Sequence, residues 1–100
     1  MTLAAGISKT IMEITGEPRI ELAVVTLLED AVEHRIEKIE AAIKVYEKKY
    51  GTGFEDFKRR FEKGEIPDSY TYNKETDFFE WEGLVSRIRR YRSILETFSK

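Results

Sequence analysis

The sequence contains no cysteine and no glutamine, a single histidine, His34, and a single asparagine, Asn73. Without cysteine the chain forms no disulfide, offers no thiolate to a metal ion and has no cysteine nucleophile. One histidine without a well-placed serine makes no recognisable Ser-His-Asp triad, and no glycine-rich loop of the phosphate-binding kind is present. We therefore expect no catalytic activity and no cofactor.

Long apolar runs are also missing, because no uncharged apolar stretch reaches the roughly 18 residues that a membrane-spanning helix needs. The first six residues lack the basic start and the apolar core of a secretory signal. These absences predict a cytoplasmic protein that does not enter a membrane. Scarce amide side chains beside abundant Glu, Lys and Arg are typical of proteins from thermophiles, and we expect such a source.

The charge is nearly balanced, with 17 basic and 19 acidic residues and a net charge of -2. Such a balance gives no general attraction to nucleic acids or acidic membranes. Hydrophobic residues make up 41% of the chain and charged residues 36%, with only two prolines. This composition predicts one folded, mostly helical domain over residues 1–100.

Apolar spacing predicts an all-α fold built on a long antiparallel helical hairpin. Its arms are helices over 18–50 and 75–98, and a short helix over about 53–63 bridges one end. Gly51 is placed to end the first arm, and Thr52 with Glu55 has the form of a capping box for the short helix. Three Phe residues on one face of the short helix predict that it packs against the arms.

Two segments are less regular. Residues 1–16 carry isoleucines at helical spacing together with Gly6 and Gly16, so either a short helix or a strand or flexible arm is compatible with them. Residues 65–72 contain Pro67 and Asp68 and predict a loop, with Tyr70 and Tyr72 available to anchor it.

The last helix carries a heptad seam, in which apolar residues recur every three or four positions. Its members are Trp81, Leu84, Ile88, Tyr91, Leu95 and Phe98. Such a seam has to be buried against another element. It is our candidate partner-binding site, with Trp81 and Tyr91 as anchors; the alternative is that the same residues form the interior of the hairpin.

The first half of the long helix, residues 20–32, is apolar around much of its circumference. One neighbouring helix cannot cover so wide a surface, so this stretch predicts the core or the centre of a homodimer. A four-helix bundle formed by two copies is the simplest arrangement that buries it.

Charged clusters suggest further hypotheses. An arginine cluster on the last helix could bind nucleic acid through phosphate contacts, although its members point in different directions: Arg87, Arg89, Arg90 and Arg92. An acidic cluster around the start of that helix could cover a basic face of a partner protein: Glu65, Asp68, Glu75, Asp77, Glu80 and Glu82. Both are also explained by the helix macrodipole, which favours acids at the N-terminus and bases at the C-terminus.

His34 lies one turn after Asp30 and one turn before Glu37, which raises the idea of a metal site. The Glu-x-x-His spacing of di-metal bundles is absent, because Ala31 stands three residues before His34. We therefore expect a solvated helix face with an Asp30–His34 pair and no metal ion.

Residues 50–83 read YGTGFEDFKRRFEKGEIPDSYTYNKETDFFEWEG. This stretch resembles small uncharacterised prokaryotic helical proteins in which "YG-x-x-F-E-x-F", "G-E-I/L-P-D" and "D-x-x-E-W-E" follow a long helix, and some of these look like antitoxins. The resemblance implies a regulatory protein that binds and neutralises a cognate toxin. We therefore expect a non-enzymatic interaction module, with a homodimeric nucleic-acid-binding protein as the alternative.

Overall fold

A computed structural model of the chain describes residues 4–67 and 72–98. The described residues form four helices: α1 (Ala5–Thr15), α2 (Ile20–Tyr50), α3 (Phe54–Glu62) and α4 (Tyr72–Phe98). This confirms the all-α fold and the hairpin with a short bridging helix. Asp68 and Tyr70, which the sequence placed in the acidic cluster and the loop, lie outside the described residues, as does the side chain of Tyr72.

The helix bounds follow local sequence signals, with two corrections. Gly16 and Gly51 end α1 and α2 in the left-handed conformation, with φ of 71° and 67°, which glycine adopts without steric cost. α2 begins at Ile20 rather than at Pro18, and α4 begins one turn earlier than the predicted residue 75. The predicted capping box is wrong: Gly53 is the N-cap of α3, and the Thr52 hydroxyl instead bonds the Asp56 carboxylate at 2.9 Å.

α2 and α4 run antiparallel, as three cross-helix contacts show. Lys49 and Tyr46 of α2 bond Asp77 and Glu80 near the start of α4, whereas Glu40 pairs with Arg92 near its end. Each residue advances both helices by about 1.5 Å. Extending these three pairs places Phe98, the last described residue of α4, opposite a position between about residues 28 and 34 of α2, so residues 20–27 of α2 lie beyond the described part of α4.

The interior consists of two clusters along the hairpin. The aliphatic seam has Ile36, Ile39 and Ile88 buried between α2 and α4. The aromatic corner lies where α3 meets both arms, and its buried members are four: Phe54, Phe57, Phe78 and Trp81. Ile43 contacts both clusters, so the two form one continuous interior.

The molecule is a rod with extents of 58 × 26 × 22 Å and a radius of gyration of 19.3 Å. A compact domain of one hundred residues would have a radius of gyration of about 13 Å. α1 packs on α2, and the short connection from Thr15 to Ile20 keeps α1 near the start of α2, at the end opposite α3. The chain therefore has two unlike ends, the aromatic corner and the end formed by α1 with the start of α2.

Candidate interaction surface

Trp81, which the sequence suggested as an anchor for a partner, lies inside the aromatic corner. Trp81 is fully buried, with its ring stacked on Tyr46 and Tyr50 at centroid distances of 5.6 and 5.9 Å. Phe57, also fully buried, contacts the same indole from α3 at 5.1 Å. Trp81 thus belongs to the interior of the folded chain and is not presented to a partner.

The other five residues of the heptad seam are also at least partly buried. Ile88 is buried, and Leu84, Tyr91 and Leu95 pack against the aliphatic seam of α2. Phe98, at the end of α4, is half-buried. The structure therefore places the first five residues of the seam inside the hairpin, which is the alternative left open by the sequence, whereas the assignment of Phe98 to a partner stays a prediction.

Two tyrosines attach α2 to the acidic start of α4. The Tyr46 hydroxyl donates to Glu80, and the Tyr50 hydroxyl donates to Asp77 at 2.5 Å. Lys49 bonds the same Asp77 oxygen at 2.5 Å. Asp77 and Glu80 of the acidic cluster therefore form bonds that join α4 to α2.

The electrostatics of this cluster favour neutral Tyr46 and Tyr50 and an ionised Asp77. The hydrogen bond to Glu80, with burial and the nearby negative charges, raises the pKa of Tyr46 to about 12. Burial, and then the hydrogen bond to Asp77, raises the pKa of Tyr50 as well. Burial acts to raise the pKa of Asp77, but the bonds from Lys49 and Tyr50 outweigh it and hold that pKa below its usual value.

The arginine cluster is split between ion pairs and solvent. Arg89 pairs with Glu55 of α3 and Arg92 with Glu40 of α2, each with an N–O distance of 3.0 Å. Arg87 and Arg90 are exposed and make no ion pair with any residue of 4–67 or 72–98. The structure does not bring the four guanidinium groups together as one basic patch.

His34 is exposed on α2, and the expected pair with Asp30 does not form among the described ion pairs. Over the parts of the chain that the structure describes, no three His, Asp or Glu side chains converge in a way that could hold a metal ion. Nor does any helix there combine the length and apolarity needed to cross a membrane.

The end of the molecule formed by α1 and the start of α2 carries most of the exposed apolar side chains. Of six large apolar residues left exposed in the described chain, four lie here: Ile7 (54% exposed), Ile14 (64%), Leu22 (38%) and Leu28 (45%). We call these four residues the N-terminal apolar surface. α1 has no buried residue at all.

This finding corrects one expectation about residues 20–32. Within the single chain only Ala23 of this stretch is buried, so it is not a core. The sequence showed that residues 20–32 are apolar around much of the helix. It did not show which side of this helix stays exposed to solvent. That depends on where α1 packs and where α4 ends.

No protein-family model, curated protein or solved structure matches this chain. The described chain has a tightly packed aromatic corner, ion pairs between its helices and one end with exposed apolar side chains. A functional proposal has to start from these three features.

Proposed function

We propose that the chain is a non-enzymatic protein-interaction module that works as a homodimer and presents helical surface to a cognate protein. The observation that carries this proposal is the N-terminal apolar surface. Several large apolar side chains left exposed at one end of a folded chain are typical of a protein–protein interaction site.

The total surface supports the same proposal. The chain exposes 7307 Å², whereas a compact monomer of this mass would expose about 5,900 Å². The excess of about 1,400 Å² is larger than the roughly 800 Å² that each partner buries in a standard interface. The excess belongs to the whole rod, and an interface of standard size between two copies would offset part of it.

An antitoxin-like role is the finer form of the proposal, and it rests on the resemblance of residues 50–83. In this chain the aromatic residues of that stretch build the corner, with Phe54, Phe57 and Trp81 buried. A cognate toxin would therefore contact the outside of the corner. Phe79, which is 64% exposed on α4, is the apolar side chain available there.

The first experiment is light scattering across a wide concentration series, with circular dichroism on the same samples. We expect a fully helical particle of about twice 11.7 kDa. Leu28→Glu should reduce it to a monomer without loss of helix content, because a carboxylate would have to be buried in the interface. A wild-type protein that stays monomeric and fully helical would contradict the homodimer.

Val45→Glu is the matched control. Val45 lies on the same helix and is 64% exposed, so the substitution adds the same charge outside the N-terminal apolar surface. We expect this variant to remain dimeric. If it dissociates as readily as Leu28→Glu, added charge rather than a specific surface is responsible.

The cognate partner is tested by co-expression with the protein encoded by the neighbouring gene. A stoichiometric complex that Phe79→Ala weakens and Val45→Ala does not would support the antitoxin-like form. If the two proteins purify separately, that form of the proposal fails while the homodimer stands.

A further inference from the structure

The contacts between α2 and α4 show which side chains lie on the same side of the hairpin. Each residue advances about 100° around its helix, and the aliphatic seam marks the buried face of both helices. Glu40 and Arg92, which pair with each other, lie on one side of this seam. Tyr46 and Glu80, which are hydrogen-bonded, lie on the other side. We call these two sides the Glu40 side and the Tyr46 side.

Four cations lie together on the Tyr46 side, about 60–140° around each helix from the centre of the seam. They are Arg35 and Lys38 of α2 and Arg87 and Arg90 of α4, and we call them the basic face. All four are exposed, and none of them forms an ion pair with any residue of 4–67 or 72–98. The antiparallel register brings the two arginines of α4 opposite positions between about 36 and 45 of α2. The four cations therefore fall within about 15 Å along the rod.

The acids of the same section of the hairpin lie on the opposite side. Over residues 31–45 and 84–98 the acidic residues are Glu33, Glu37, Glu40 and Glu96. Each of them lies about 80–140° around its helix from the seam, towards the Glu40 side. The basic face therefore carries positive charge without a neighbouring carboxylate. No run of residues in the sequence indicates this face, because two helices contribute to it.

Helix stability does not explain the basic face. Arg35 and Lys38 are three residues apart, as are Arg87 and Arg90, and like charges at such neighbouring positions weakly destabilise a helix. The helix macrodipole favours cations only within the last turn. Arg90 lies eight residues before the end of α4, and Lys38 lies twelve before the end of α2. A binding role accounts for these charges better than a structural one.

We infer that the basic face binds the phosphate backbone of a nucleic acid. Three of its four cations are arginines, whose planar guanidinium group pairs with phosphate through two hydrogen bonds. Residues 31–45 and 84–98 contain no exposed aromatic side chain of the kind that anchors a protein partner. Contacts to the phosphate backbone need no such anchor, because they depend on charge. The binding is expected to be independent of base sequence and of the proposed homodimer.

The test measures fluorescence anisotropy of a labelled DNA duplex of mixed sequence over a series of salt concentrations. Four phosphate contacts predict a slope of about -3.6 when the logarithm of the binding constant is plotted against that of the salt concentration. This slope corresponds to binding that is roughly 100-fold weaker at about 200 mM than at about 50 mM salt. Wild-type protein that does not bind the duplex at the lower salt concentration would overturn the inference.

A pair of double variants tests which face is responsible. Arg35→Gln with Arg90→Gln should weaken binding at least about tenfold at low salt and reduce the magnitude of the slope by about 2. The matched control is Lys44→Gln with Arg89→Gln, because both residues line the groove on the Glu40 side. It removes the same charge from the same two helices and should change binding less than about twofold. Equal losses in the two double variants would mean that net charge is responsible and would overturn the inference.

An acidic protein is the competing occupant, and labelled poly-L-glutamate is the probe for it. Poly-L-glutamate that binds more tightly than the duplex, and loses its binding in the Arg35→Gln/Arg90→Gln variant, would overturn the inference in favour of an acidic protein. Circular dichroism of each variant should show unchanged helix content, since the substituted side chains are exposed. Light scattering reports the homodimer separately, so the proposed function can fail while the basic face stands, and the reverse.

Discussion

Both ends of the rod carry large apolar side chains, but these side chains are buried to very different extents. At the aromatic corner, α3 closes over the hairpin and leaves Trp81 and Phe57 fully buried. At the other end, α1 packs on one side of α2, and Ile7, Ile14 and Leu28 stay about half exposed or more. An apolar helix face is buried only where other helices pack against it. We therefore expect association with a partner at the end formed by α1 and the start of α2.

The sharpest test of this contrast substitutes one apolar residue at each end. Trp81→Ala should lower the free energy of unfolding by about 3–5 kcal/mol, because it leaves a large cavity among packed rings. For a domain of this size that corresponds to a melting temperature lower by more than about 12 °C.

Ile14→Ala is the counterpart at the open end. Its side chain is 64% exposed, so the unfolding free energy of the monomer should change by only about 0.5 kcal/mol. Thermal melts of both variants in the monomeric background of Leu28→Glu make the comparison. A cost for Ile14→Ala close to that for Trp81→Ala would mean that the α1 end is covered within one chain.

The polar contacts of the corner should make it sensitive to acid. Asp77 has a folded-state pKa below its unfolded value, so its contribution to stability is present above about pH 4 and lost as the pH falls through the folded pKa. Asp77→Asn should cost about 1–2 kcal/mol near neutral pH. Urea melts of this variant should show a weaker loss of stability between neutral and acid pH than wild type shows.

Alkaline pH should act on the same contacts through the tyrosines. The pKa of Tyr46 is raised to about 12, so its contribution is complete below about pH 10 and is lost as the pH rises through 12. Absorbance of tyrosinate should show a late-titrating component in the folded protein. Tyr46→Phe should reduce that component, whereas Tyr91→Phe, which removes a hydroxyl from beside the aliphatic seam and not from this cluster, should leave it in place.

The smallest expected effect is an increase in the free energy of unfolding. Gly83 lies inside α4, and a Cβ added there would meet no atom within 4 Å. Gly83→Ala should therefore stabilise the chain by about 1 kcal/mol through helix propensity. A chemical-denaturation midpoint that falls instead would mean that another helix approaches closely at Gly83.

Much of the fold could be predicted because its signals are local. The end of α2 at Gly51, the aromatic face of α3 and the heptad seam of α4 all follow from backbone preferences and residue spacing. The capping box did not form because α3 starts one residue later, with Gly53 as its N-cap, and the Thr52 hydroxyl donates to the Asp56 carboxylate instead of accepting from a backbone amide. The start of α4 was placed one turn late because residues 72–74 carry no apolar periodicity.

The candidate site was harder to predict because burial is not local. Trp81 and Leu28 both lie on apolar helical faces, and nothing near either residue indicates that one is enclosed and the other open. The difference arises from α3, which packs on Trp81, and from the antiparallel register of α2 and α4, which leaves the first residues of α2 beyond the described part of α4. Only contacts between residues distant in the sequence carry this information.

The sequence by itself determined the helical class, the seam spacing on α2 and α4, and the absence of cysteine chemistry. These depend on residue types and on the 3.6-residue period of the helix. The tertiary structure alone decided which part of the apolar surface is enclosed, which acids and arginines are paired, and which end of the rod remains open. Helix length and packing set those outcomes, because α2 is longer than the described part of its antiparallel partner α4, and because α3 and α1 pack at different ends of the hairpin.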